Sequence, residues 1–220
     1  YIDSFSEEMP NLTKVLSEFG LSIGNGLIVE QDNARMYQNP IYLLPNVSSD
    51  SLTNGVYGKS YDYIMMPYAQ PILTTEKDGV TLTTLLTTSE EAYSKTDLNQ
   101  SSDVKKTDDD AQGPFTVGVK AVKTLDSGEE AQLILYSSSY LFTESTNQYT
   151  MDNNLTLFTN AISTMAGESE SISIPTKSMV STYATVPTAS AVRYGILLMG
   201  ILPIGLLAAG IIIWVRRRKR

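Results

Sequence analysis

The stretch from residue 194 to residue 215 constrains this chain most: it is apolar or small throughout and carries no charged side chain. About 20 such residues wound as a helix cross the hydrocarbon core of a bilayer. Tyr194 and Trp214 stand near its two ends, where aromatic rings favour the headgroup layer. Arg193 flanks one end, and Arg216, Arg217, Arg218, Lys219 and Arg220 flank the other. An excess of Lys and Arg marks the cytoplasmic side, so these five residues determine the topology, with the tail inside and the preceding chain outside. The expected organisation is an extracytoplasmic domain over residues 1–168, a Ser/Thr/Pro-rich membrane-proximal stalk over 169–192, a transmembrane helix over 193–215 and a basic tail over 216–220. That is a single pass through the cell membrane. Pro203 in mid-span predicts a kink or a loosened turn. Gly205 and Ala209 form a small pair that lets another helix approach closely.

The remainder is acidic. The net charge is −8, and −13 once the tail's five positive charges are set aside. Such a domain is repelled by nucleic acid and by anionic headgroups, so no nucleic-acid partner is expected. The chain has no cysteine and no histidine. That excludes disulfides, thiolate ligands, Cys nucleophiles, His-based triads and most zinc sites. No cofactor or metal is expected. The first residue is Tyr1, and no targeting segment precedes the first periodic stretch, so the expectation is a fragment or processed chain that lacks an upstream part.

Ser6-Glu7-Glu8-Met9-Pro10 predicts a helix start, Leu12, Val15, Leu16 and Phe19 its apolar stripe, and Gly20 its C-terminal stop. Short strands are expected at residues 26–29, 41–44 and 61–66, and longer ones at 80–88, 115–122 and 132–136. Residues 49–54 predict one or two helical turns. Residues 99–112 are polar and charged, and predict a solvated loop that is dispensable for folding. A helix over 154–166 places Leu155, Phe158, Ile162 and Met165 on one face, expected to meet a sheet, with Gly167 as its stop. Strands alternating with helices predict a layered α/β domain with a largely parallel sheet.

Motifs that carry chemistry are thin. Residues 53–60 end in Gly58-Lys59-Ser60 like a phosphate-binding loop, but Thr53 replaces the first glycine and no strand leads in. ATP binding is not expected. Asp108-Asp109-Asp110 lacks the alternating ligands of a Ca²⁺ loop and predicts a solvated charge run. Glu90-Glu91 and Glu129-Glu130 are paired acids, but glycosidase chemistry needs carboxyl groups about 5–10 Å apart across a cleft. Asn11, Asn46, Asn99 and Asn154 begin N-x-[ST] patterns.

Several segments in series resemble the GldG-type auxiliary proteins of bacterial ABC transport systems. They are the helix and glycine-led strand over residues 9–26; Gly26-Leu27-Ile28-Val29-Glu30; and Asn39-Pro40-Ile41-Tyr42-Leu43-Leu44-Pro45. Leu85-Leu86-Thr87-Thr88-Ser89, Gln112-Gly113-Pro114-Phe115, the helix over 154–162 and Ser171-Ile172-Ser173-Ile174-Pro175 follow, then the Pro-bearing anchor ending in Trp214-Val215-Arg216-Arg217-Arg218. The acidic turn that the family often carries after the strand corresponding to residues 133–136 reads here Tyr136-Ser137-Ser138-Ser139. The resemblance implies a flavodoxin-like or amidotransferase-like fold, incomplete at its N-terminus and without amidotransferase chemistry. It implies as partners an ABC permease and a separate ATPase subunit. The expected function is a non-enzymatic, membrane-anchored auxiliary component of such a system. The alternative is a stalked extracellular hydrolase or carbohydrate-binding module.

Overall fold

The computed structural model describes residues 9–57, 63–97, 105–167 and 187–218. Helix α1 (Pro10–Glu18) opens on Pro10, whose missing N–H costs nothing at a helix start. It ends where Gly20 turns left-handed at φ 67°. A Cβ there would stand 2.4 Å from the Thr75 carbonyl oxygen, so the chain reversal needs glycine. Strands β1 (Leu21–Ile23), β2 (Leu27–Val29), β3 (Met36–Tyr37), β4 (Asn39–Leu43) and β5 (Asn46–Val47) follow, then a 3₁₀ turn at Ser51–Thr53. Next come β6 (Met66–Pro67), β7 (Ile72–Thr74), β8 (Val80–Thr87), β9 (Tyr93–Lys95), β10 (Ala111–Gln112), β11 (Thr116–Thr124) and β12 (Glu130–Tyr136). Helices α2 (Glu144–Tyr149) and α3 (Asn153–Met165) close the domain.

The main sheet orders β1-β7-β11-β8-β5, with β12 also paired to β11. Two three-stranded sheets, β10-β9-β2 and β3-β4-β6, accompany it. The mixed α/β class stands, but the expected largely parallel sheet does not form: every pairing among the described residues is antiparallel. The sheet therefore does not show flavodoxin-like or amidotransferase-like layering. The physical reason is visible between β11 and β12. Leu125 N–H donates to Glu129 O, Gly128 N–H donates to Leu125 O, and Gly128 sits at φ 82°. So tight a turn makes a hairpin, whereas a parallel return needs a crossover of about a dozen residues.

Both faces of this sheet are buried. On one, Val119 and Ala121 pack with Leu16, Leu21 and Ile72, under Phe19 of the α1 end. On the other, Leu85, Leu86 and Val117 join Ile28, Leu52, Met66, Leu141 and Leu157 in the larger core. Val117 and Val119 would share a face of a regular strand. Register shifts against β8 on either side of Gly118 turn them into different cores. A Cβ on Gly118 would stand 3.0 Å from both Leu86 and Tyr136 side chains, so this crossing is close-packed.

Three expectations are corrected here. Helix α3 forms one residue earlier than expected at each end and stops at Gly167 (φ 73°), but its register is turned. Asn153, Asn154, Leu157 and Ala161 face inward, while Leu155, Phe158, Ile162 and Met165 are exposed. In α1 only Leu16 of the expected stripe is buried, and Leu12 and Val15 face solvent. Within 99–112, residues 99–104 lie outside the described residues. Of the rest, residues 105–109 are exposed as expected, but Asp110 is buried against Lys95, and the exposed strand β10 completes a sheet.

A continuous helical run comprises α4 (Thr188–Gly195), a π-helical stretch (Ile196–Ile201) and α5 (Leu202–Arg218). It begins inside the stretch expected as stalk; residues 168–186 lie outside the described residues. The π-helical stretch ends two residues before Pro203. Proline cannot donate back along the helix and its ring presses on the preceding turn, so the loosened turn expected at Pro203 is present. From Ser190 to Arg218 this run is long and apolar enough to cross a membrane, and its membrane-crossing window has nothing buried against the rest of the chain. Trp214 and Tyr194 are both exposed, and the Arg218 guanidinium stands 5.2 Å from the Trp214 ring centroid. Arg216 and Arg217 share the last turn with Arg218; Lys219 and Arg220 lie outside the described residues.

Candidate functional site

The small sheet β3-β4-β6 and helix α2 enclose a cleft of about 360 Å³, within the range of small-ligand sites. Its first wall starts at the turn between β3 and β4. Gln38 alone makes that turn, at φ 59°, so that Tyr37 pairs with Asn39 across it. Asn39 Oδ1 accepts from the Ile41 N–H at 3.2 Å and tightens the same corner. Tyr42 then lies opposite Pro67 across the β4–β6 ladder. Tyr68 follows Pro67 with φ 55°, a rare conformation for an aromatic residue, held by its N–H donating to Ile41 O at 3.1 Å.

The second wall is hung from Ser138. Its buried hydroxyl donates to the Pro67 carbonyl at 2.5 Å and accepts from the Tyr140 N–H at 3.3 Å. One side chain thereby ties the segment carrying Tyr68 to the one carrying Tyr140. Thr143 caps α2, its hydroxyl oxygen accepting from Thr146 N–H, and α2 presents Ser145, Thr146 and Tyr149 to the cleft.

Five tyrosines from these elements meet as a pair and a row. The Tyr37 and Tyr149 rings are 5.2 Å apart and tilted by 41°. Tyr42 meets Tyr68 edge-on at 5.8 Å, and Tyr68 meets Tyr140 at 5.2 Å. Such pairs are each worth about 0.5–1.5 kcal/mol beyond the area they bury, which makes the walls stiff. All five rings are half-buried. A hydrogen bond with Tyr42, helped by burial and by the neighbouring phenols, raises the Tyr68 hydroxyl above its ordinary pKa. Burial, then Tyr149, does the same for Tyr37. No charged residue is among those that line the cleft. It is neutral, aromatic and rich in hydroxyls, suited to holding a ligand by stacking and hydrogen bonding.

None of the residues singled out from sequence for chemistry lines it. Thr53 closes a capping box instead: its hydroxyl accepts from Asp50 N–H at 2.9 Å while Asp50 Oδ1 accepts from Leu52 N–H. Gly58, Lys59 and Ser60 lie outside the described residues. Glu90, Glu91, Glu129 and Glu130 are exposed at turns and strand starts. Besides Asp110, Glu30 is a buried carboxylate among the described residues. It accepts from the backbone of Gln31, Asp32 and Ser89 and from the Ser89 hydroxyl, and so joins two loops. Asp50 accepts from Lys120 at 2.7 Å, and burial, then the Asp50 charge, pushes the Tyr136 hydroxyl far above its usual range. Asn154 is wholly buried and hydrogen-bonded to main chain, which removes it as a glycan acceptor. Sequence carried one faint signal of the cleft, an excess of tyrosine: 13 Tyr against 5 Phe and 1 Trp.

No protein-family model matches this chain, and no curated protein matches it. Among solved structures it is similar to the mmIFT52 N-terminal domain, at 10% sequence identity and a TM-score of 0.47. The alignment covers 74% of this chain and 60% of that one, so the chain spans less than two thirds of the matched chain. So remote a likeness carries no argument about function.

Proposed function

We propose that this chain is a membrane-anchored, non-enzymatic auxiliary component of an ABC transport system whose outer domain takes its ligand in the tyrosine cleft. The observation that carries the reading is the joining, in one chain, of an apolar helix with no buried face to a domain with a stiff, uncharged aromatic cleft. The chemistry of the cleft supports binding over turnover. General acid–base work favours a group that titrates near the operating pH, and the Tyr37 and Tyr68 hydroxyls are shifted upward, away from it. The transport assignment rests on the ordered series of GldG-type segments, which implies a permease and a separate ATPase as partners. The basic end of the helix supports placing the domain outside the cell.

The test is mild extraction of the tagged full chain from its own membrane. Co-purification of a permease and an ATPase is the expected result. Turnover of a glycan or ester library by the same preparation, without those partners, would replace this reading with a stalked hydrolase.

A further inference from the structure

We infer that the tyrosine cleft binds a neutral carbohydrate, a short run of uncharged sugar rings. The inference rests on the reading of the cleft as the ligand site, and is independent of which proteins accompany the chain.

Four observations carry it. First, the row Tyr42–Tyr68–Tyr140 and the pair Tyr37–Tyr149 offer ring surfaces at several angles along one cleft. The negative face of an aromatic ring attracts the weakly positive C–H face of a sugar, and a row offers platforms to successive rings. Second, each platform ends in a hydroxyl, and Gln38 and Ser145 add further polar groups at the cleft. Hydroxyls and amides both donate and accept. A sugar matches both roles, whereas a proline-rich peptide supplies mainly acceptors, because proline has no N–H. Third, the lining carries no charge and the chain is acidic, which disfavours phosphorylated or acidic glycans. Fourth, Gln38 and Tyr68 both hold left-handed backbone conformations at the cleft. Strain of this kind persists where the surrounding structure enforces it, and it concentrates at ligand sites.

The experiment titrates the full chain in lauryldimethylamine oxide micelles, since sugar-headed detergents would compete. The probes are cellotetraose, tetra-N-acetylchitotetraose, maltotetraose and mannotetraose, read by calorimetry and by saturation-transfer NMR. Polyproline peptide and choline are run beside them. One tetrasaccharide is expected to bind in the micromolar to millimolar range, with saturation transfer from tyrosine rings to its C–H protons. Tyr42→Ala should weaken it at least about tenfold, as expected where a stacking platform is lost. Gln38→Ala, at an exposed turn, and Tyr42→Phe, which keeps the ring, should each weaken it roughly fivefold, the worth of one hydrogen bond. These two variants preserve the test where Tyr42→Ala fails to fold. Phe158→Ala, away from the cleft, should leave affinity unchanged.

The proposal is overturned if none of the four sugars binds, if binding survives Gln38→Ala and Tyr42→Phe unaltered, or if polyproline or choline binds more tightly than any sugar. Sugar binding by a chain that co-purifies with no permease upholds this ligand and removes the transport reading. Co-purification without sugar binding does the reverse.

Discussion

The side-chain amide of Asn154 holds the main chain of Met65 from both sides: Nδ2 donates to the Met65 carbonyl at 2.9 Å and Oδ1 accepts from the Met65 N–H at 3.2 Å. The same Nδ2 donates to the Leu141 carbonyl at 2.6 Å. Asn154 is 0% exposed and Met65 precedes β6, so this amide pins α3 to an edge of the cleft. Asn154→Leu leaves three buried main-chain groups without a partner, each at about 1–3 kcal/mol. The variant is expected to lose at least about 3 kcal/mol, read by urea unfolding of the full chain in micelles. A loss under about 1 kcal/mol would show that Met65 finds other partners.

The register of α3 predicts a contrast between neighbours. Leu157 is 0% exposed, and Leu157→Ala should cost about 2–5 kcal/mol. Phe158 is 43% exposed and touches Phe142 at 5.1 Å between ring centroids, so Phe158→Ala should cost well under half as much. Equal costs would restore the register expected from sequence.

Asp110 gives the domain an acid limb. Burial raises its pKa, but the Thr107 N–H at 2.8 Å and hydroxyl at 2.9 Å, then Lys95 and Thr96, outweigh burial and hold it below the ordinary value. The unfolded chain therefore takes up this proton first, near pH 3.9. The stabilisation is present above that pH and is lost as pH falls through the lower folded value. Asp50, lowered by the Leu52 N–H and Lys120 against its own burial, adds a limb of the same sign. Urea midpoints measured from about pH 7 to about pH 3 should fall at the acid end, and Asp110→Asn should flatten that fall. At neutral pH, Asp110→Ala leaves the buried Lys95 ammonium without its counter-charge, with the Lys105 carbonyl still accepting from it, and should cost about 3–5 kcal/mol. An Asp110→Ala chain as stable as the parent would return this segment to the status of a dispensable loop.

Gly26 turns at φ 89°, and a Cβ there would stand 2.6 Å from Ser94 Oγ and 2.7 Å from the Lys95 carbonyl oxygen. Gly26→Ala combines left-handed strain of about 1–3 kcal/mol with a backbone clash. It should lower the melting temperature by more than Gly128→Ala, whose Cβ meets nothing within 4 Å. Equal shifts would remove the clash from the account.

The topology proposed from the basic end has its own test. Protease added to intact cells should remove the domain and spare a tag placed after Arg220. Loss of the tag with the cells still sealed would reverse the orientation.

Much of the fold was legible because local chemistry marks where elements begin and stop. Pro10 and Gly20 bound α1, Gly167 ends α3, and the strands β8, β11 and β12 stand where branched and apolar residues cluster. The long apolar C-terminal helix was the most legible of all, since length and apolarity alone mark it. The turn at Asp126-Ser127-Gly128, which the sequence reading passed over, is what denies the sheet a parallel return. Sequence could not decide which face of α3 turns inward. Periodicity shows that apolar residues share a side, but not whether Phe158 meets a core or another ring at the surface. The core took the other side because Asn154 satisfies three main-chain groups there and Leu157 and Ala161 fit close against the 3₁₀ turn. The cleft belongs wholly to the tertiary structure. Its tyrosines are spread from residue 37 to residue 149, and they converge only because antiparallel pairing of β4 with β6 and the Ser138 hydroxyl bring distant segments together. A pattern read along one chain carries no information about which distant segments will meet.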